Sequence, residues 1–299
     1  MTDAANAGPP PPDVDTSAPE EIAAGVFIIR DRRVPLVPNI GIVLGEDSAL
    51  VVDTGMGPVN GRKVLEAARK LGDGRPLILT LTHFHPEHGF GAQAFKNAAR
   101  ITYNKAQHGD LKTKGEAYLG MFRTFGPAVA AALEGTVLVD PDDVYEDANT
   151  TIDLGNRKVE LRTWGRAHTR GDQVVWLPAE RILFTGDLAE ECIFPIFPWF
   201  PPDDVDIDGA RWAAILTELI DWEPAMVVPG HGDIGSVEIL VAVRDYMVDL
   251  GTRVAAARRA GQDADSIIAE LSPKVRAEHP DWSSPEWIDF AIRYYATLS

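Results

Sequence analysis

The order of segments along this 299-residue chain predicts an α/β fold in which two β-sheets pack face to face with helices outside. Three observations carry that expectation. Short β-type runs separated by turn residues come first, and runs alternating with helical stretches follow. Strand patterns then resume ahead of a helical tail. No repeat at a solenoid or propeller period competes with this reading.

Residues 1–19, rich in Pro, Ala, Asp and Gly, are expected to form a disordered arm. GVFIIRD (25–31), NIGIVLG (39–45) and SALVVDTG (48–55) read as antiparallel strands of one sheet. PVNGRKVLEAARKLG (58–72) has apolar positions at helical spacing and ends on glycine, a helix with its stop signal. PLILTLTH (76–83) is a buried strand, a helix is expected from near Gly89, and ARITYN (99–104) is another strand. Residues 105–134 then break the rhythm as a helical insertion, two helices interrupted at Gly115 and around Gly126–Pro127. Strands resume with TVLVDPD (136–142), TTIDLGNRKVELRTWG (150–165), DQVVWLPAERILFTGDL (172–188) and AMVVPGHG (225–232), with a helix over about 207–221. Residues 20–235 make one domain, and 236–299 form a helical extension of three segments packed on it.

Composition removes several classes of function. The formal net charge is -17, which repels phosphate backbones and anionic lipid, so neither nucleic acid nor a membrane is an expected partner. The first residues lack a basic stretch followed by an apolar one, and no apolar run is long enough to span a bilayer. The single cysteine, Cys192, fits a reducing compartment, so a cytoplasmic address is expected.

The chemistry concentrates at strand ends. THFHPEHGFG (82–91) places His83 and His85 two apart, so both imidazoles can face one point. Pro86 forces a turn that brings Glu87 and His88 to the mouth of the next element. His168, Asp187, His231 and Asp53 sit at other strand ends, where a rigid scaffold presents function. A lone histidine at such a place is usually a hydrogen-bonded structural residue. Five of the seven histidines gathered there, three within one six-residue stretch, point instead to a ligand set for Zn²⁺, or for Fe or Mn. His108 and His279, in polar helical contexts, keep the structural reading.

VVDTG, THFHPEHGFG, AHTRGD, FTGDL and VPGHG, in that order, resemble the five signature motifs of the metallo-β-lactamase-fold superfamily. The resemblance covers roughly residues 22–235 and implies an αββα sandwich of two mixed sheets with a two-metal site at one edge. It implies that His83, His85 and His168 hold a first zinc, that Glu87, His88 and His231 hold a second, and that Asp187 bridges them. Asp53 would orient a ligand imidazole from behind, and Asp187, Glu87 and Asp53 would serve catalysis.

One residue departs from the family pattern. The usual motif is HxHxDH, and this chain has Glu87 where the aspartate belongs. The extra methylene moves the carboxylate out by about 1.5 Å, against Zn–O distances of about 2.0–2.2 Å. Either the turn after Pro86 retracts, or Glu87 leaves the metal and a single-metal enzyme results.

The resemblance implies a hydrolase in which a metal-bound hydroxide attacks a small ester, lactone, amide or thioester. Two alternatives stay open: a mono-iron oxygenase of the persulfide-dioxygenase type and a glyoxalase-II-like thioesterase, the latter because RVAAARR (253–259) offers basic residues. The loop IFPIFPWFPPDD (193–204) is either an apolar pocket wall or a packed crossover over the sheet. In the insertion, Tyr118, Met121, Phe122 and Phe125 lie at helical spacing as core, as a lid, or as the surface of a homodimer. Arg166 and Arg170 flank His168 and could meet a substrate carboxylate.

Overall fold

The computed structural model describes residues 8–298. Strands β1 (Glu20–Ala23), β2 (Val26–Ile29), β3 (Ile40–Leu44) and β4 (Ala49–Val52) form an antiparallel meander. After helix α1 (Gly57–Gly72), β5 (Leu77–Thr80), β6 (Ala99–Asn104) and β7 (Asp143–Tyr145) extend the sheet by parallel pairing, in the order β1-β2-β3-β4-β5-β6-β7. The second sheet contains β8 (Asn149–Asp153), β9 (Lys158–Thr163), β10 (Gln173–Leu177), β11 (Ile182–Gly186) and β12 (Met226–Pro229), ordered β12-β11-β10-β9-β8. Its pairs are antiparallel except β11 with β12. Both sheets are therefore mixed, and each is built from a continuous half of the chain.

Strand periodicity assigns side chains to layers. Leu50 and Val52 of β4 point into the space between the sheets, where Val175 of β10 and Phe184 of β11 meet them, while Val51 points to the outer face under α1. On the far face, Leu183 and Trp176 pack against α5 (Gly209–Asp221), α6 (Glu238–Arg259), α7 (Ala264–Glu278) and α8 (Glu286–Ala296). The αββα sandwich expected from the sequence is what the chain forms. No described helix is long and apolar enough to cross a membrane.

Several local expectations change. Of the arm expected to be disordered, residues 1–7 lie outside the described residues, but residues 8–19 lie along the domain. Val14 is fully buried, its N–H donates to Asn60 Oδ1 at 3.0 Å, and the Asn60 amide donates to Pro12 O. The run Pro9–Pro12 favours an extended backbone, which reduces the entropy lost on ordering it. In the insertion, helix α3 (Lys105–Arg123) runs unbroken through Gly115, and only the break before α4 (Pro127–Ala132) occurs. A Cβ at Gly115 would lie 2.5 Å from Leu138 Cδ1, so that glycine admits a close neighbour and does not end the helix.

The stretch 136–142 is not a strand. Pro141 cannot donate to a ladder, and pairing with β6 begins just past it, where Asp142 N–H donates to Ile101 O at 2.8 Å. The helix expected near Gly89 is a single earlier turn, α2 (Pro86–Gly89), followed by a 3-10 turn at Ala92–Phe95. Strand β1 was not anticipated.

Candidate metal centre

The residues singled out by the sequence meet at one edge of the sandwich. Asp53 follows β4, and His83 and His85 follow β5. Glu87 and His88 lie in α2, His168 follows β9, Asp187 follows β11, and His231 follows β12. All eight are buried. Pro86 at the first position of α2 sets the turn that carries Glu87 and His88 toward the first two histidines.

Asp187 straddles two groups of donors. Its Oδ2 lies 3.8 Å from His83 Nε2 and 3.9 Å from His168 Nε2, while Oδ1 lies 3.1 Å from His88 Nε2 and 3.7 Å from His231 Nε2. His85 Nδ1 joins the first group, 3.2 Å from His168 Nε2. In each of the sets His83, His85, His168, Asp187 and Glu87, His88, Asp187, His231, one donor atom per residue lies within 4.8 Å of every other. Gly230 makes this position possible, since a Cβ there would fall 2.0 Å from Asp187 Oδ1.

The bonds behind the imidazoles fix which nitrogen faces inward. His88 Nδ1 pairs with Asp53 Oδ2 at 2.8 Å, His168 Nδ1 with Ile196 O at 2.9 Å, and His231 Nδ1 with Val37 O at 2.9 Å. An oxygen acceptor holds the proton on Nδ1 and leaves the Nε2 lone pair turned to the centre. His83 Nε2, His88 Nε2, Glu87 Oε2 and both oxygens of Asp187 are buried with no hydrogen-bond partner of good geometry. Leaving that many buried polar atoms unpaired would be costly, and a cation between them would satisfy them together. The residues fit a metal pair.

Electrostatics of the first trio of histidines agree with a ligand role. Burial, reinforced by neighbouring imidazoles, holds His83 and His85 well below the usual histidine range, and burial lowers His168 to about 4. Those rings are neutral, as ligands must be. Burial would also lower His88, but the carboxylates of Asp187 and Asp53 outweigh it and raise it. Burial would raise Asp187, but His88 and His231 pull it well below the carboxylate range. Burial raises Glu87, which lies in the second donor set with its Oε2 unpartnered.

A cavity of about 730 Å³ opens onto His85, Glu87 and His231. Both segments left open by the sequence line it. From α3 and the turn after it come Tyr118, Met121, Phe122 and Phe125; from the 193–204 loop come Ile193, Ile196, Pro198 and Phe200. Trp199 does not line the cavity, and its ring lies 5.5 Å from that of Tyr294. Arg166 and Arg170 also stay out of it: Arg166 pairs with Asp206 at 2.8 Å, and Arg170 lies beside Asp110. His108 pairs with Asp140, and His279 packs at a tilt against Trp282.

Two features were not read from the sequence. The Tyr118 ring stacks on His85 at 5.0 Å while its hydroxyl donates to Asp204 Oδ2 at 2.7 Å, tying the insertion to both the centre and the loop. Lys114 secures the same junction through Asp204 at 2.9 Å and Asp206 at 2.8 Å. Glu190 is fully buried and accepts from Ile196 N at 3.4 Å; burial and the nearby Asp187 raise it well above the carboxylate range. Glu190 and Glu191 stand side by side after Asp187, and nothing in the sequence marks which of the two is buried.

Comparison with known proteins places this geometry. The family model described as metallo-beta-lactamase superfamily matches residues 33–231. Among curated relatives, the chain is 25% identical over 216 residues to a type 2 metallo-beta-lactamase of Bacillus sp. (strain 170), covering 71% of this chain and 73% of that protein. It is 25% identical over 233 residues to the acyl-coenzyme A thioesterase MBLAC2 of Homo sapiens, covering 72% and 80%. Among solved structures, the inverting sec-alkylsulfatase Pisa1 from Pseudomonas sp. superimposes with a TM-score of 0.72 at 16% identity. That match covers 94% of this chain, which spans 50% of the sulfatase.

Proposed function

The chain belongs to the metallo-beta-lactamase superfamily, and from that membership we propose that it is a metal-dependent hydrolase of small, apolar esters, lactones, amides or thioesters. The observation that carries the proposal is Asp187, whose two carboxylate oxygens each face a separate trio of donors beside an apolar cavity. On this reading His83, His85 and His168 would hold one metal, Glu87, His88 and His231 would hold the other, and Asp187 would serve both. Zinc is the first candidate by donor type, with iron or manganese as alternatives. When bound, the pair lowers the pKa of water to near neutrality and polarises the bond under attack.

The chain's own residues do the rest. Asp53 fixes the tautomer and orientation of His88, and Ile196 O and Val37 O do the same for His168 and His231. The apolar walls bury the acyl group and exclude water from all but the attacking position. In the reaction, the oxygen of water bonds to the acyl carbon, the bond to the leaving group breaks, and the leaving group departs with a proton. Glu87 lies in the second donor set, which favours two metals over a single-metal oxygenase.

Zinc titration of metal-free protein, followed by assay on a panel of esters, lactones and thioesters, tests the proposal. Saturation near about two equivalents with metal-dependent turnover is expected. Saturation near about one would leave a single-metal enzyme, and no binding would end the reading.

A further inference from the structure

We propose, resting on the hydrolase reading above, that the cavity selects acyl substrates with an uncharged or cationic leaving group and turns away polyanionic carriers. The cavity lining mixes apolar and acidic residues. Those from α3 are aromatic and aliphatic and suit an acyl chain. The lining also carries Asp31, which is buried, and Asp281 and Glu286, which are exposed and form an acidic rim.

Arg33 is the one lysine or arginine among the described lining residues, and it is already committed. Its guanidinium pairs with Glu191 and, at 2.9 Å, with Asp233, and it donates to Glu191 O at 3.0 Å. The cations beside the centre are committed as well: Lys114 to Asp204 and Asp206, and Arg166 to Asp206. A leaving group emerging from the cavity therefore meets acidic side chains whose counter-charges are taken, on a chain of net charge -17. Within a screening length of about 8 Å at physiological salt, that rim repels phosphates. A bound metal pair would add positive charge at the acyl end common to both substrates, so the rim substitutions, which leave that charge unchanged, isolate the contribution of the rim.

The test compares octanoyl-coenzyme A with octanoyl-N-acetylcysteamine, which share the acyl chain and the thioester bond and differ in the charge of the carrier. For zinc-loaded protein at low salt, kcat/KM should favour the neutral thioester by about fivefold or more, and the gap should narrow as salt rises. Replacing the rim acids together, Asp281→Lys with Glu286→Lys, should shift the ratio toward the coenzyme A ester by about threefold or more. Equal or better use of the coenzyme A ester by the unaltered protein would overturn the proposal. So would a preference that neither salt nor the rim substitutions move. If neither thioester turns over, the hydrolase reading fails for this bond, and calorimetric binding of the same two compounds decides the selectivity separately. Tighter binding of the neutral compound would sustain it, and equal or tighter binding of the coenzyme A ester would overturn it.

Discussion

Asp53 Oδ2 and His88 Nδ1 lie 2.8 Å apart, sealed from solvent. The same carboxylate accepts from Thr82 N at 2.7 Å and from Thr82 Oγ1 at 2.9 Å, so it joins the end of β4 to the strand that delivers the histidines. Its backbone adopts φ +68, a left-handed conformation that aspartate tolerates better than most residues. On the proposed two-metal reading, Asp53→Ala should weaken one equivalent by about 10- to 100-fold, the usual cost of removing such a partner. Competitive titration with a chelator measures it, and unchanged affinity at both sites would refute the role.

Glu87 is the residue where this chain departs from the family motif, and its Oε2 is buried and unpartnered within the second donor set. Glu87→Asp should keep activity within about tenfold, a barrier change of about 1.4 kcal/mol. Glu87→Gln should lose the second metal because a charge is gone. A glutamine variant that retains both metals with wild-type affinity would show that the carboxylate is not a ligand.

Burial pushes the Asp110 carboxyl up from 3.8 to about 6, against the pull of Lys114 and Arg170. The folded chain therefore holds a proton there that the unfolded chain releases. That contribution to stability is complete below 3.8 and is lost as pH rises through about 6. Asp110→Asn stays neutral throughout, so the melting temperature of the variant minus that of the wild type should rise by a few degrees between about pH 4.5 and 7.5. A difference that stays flat or falls over this range would contradict the assignment.

The two aromatic segments near the centre should separate in assay. Phe125 lines the cavity and is 39% exposed, so Phe125→Ala should spare the fold. It should raise KM for long acyl chains about five- to tenfold more than for short ones. Trp199 packs on Tyr294 outside the cavity, so Trp199→Ala should lower the melting temperature and leave chain-length preference as it was. Chain-length effects from Trp199 alone would reverse this division of roles.

The donor set was legible because its members sit at strand ends marked by local signals. The spacing of His83 and His85, the turn at Pro86 and the glycines around His231 are each encoded within a few residues. The meander β2–β3–β4 was legible for the same reason, since alternation and turn residues are local. What was missed depends on partners far along the chain. Nothing near Tyr118 announces that its hydroxyl reaches Asp204, 86 positions away. Val14 was read as part of a disordered arm because its burial depends on Asn60, 46 positions on. Glu190 looked like one acid among many until its apolar surroundings closed over it.

The sheet order carries a last consequence. Residues through β7 build only the first sheet, and residues from β8 to β12 build only the second. Asp53, His83, His85, Glu87 and His88 belong to the first half; His168, Asp187 and His231 belong to the second. On the proposed reading, every metal is shared across that divide, and the ion acts as a rivet between two pieces of one polypeptide. Cleaving the backbone between Tyr145 and Asn149 should then yield two fragments that co-purify when zinc is present and separate more readily when it is chelated. Fragments that associate equally well in both conditions would show that the interlocking apolar faces hold the halves together unaided.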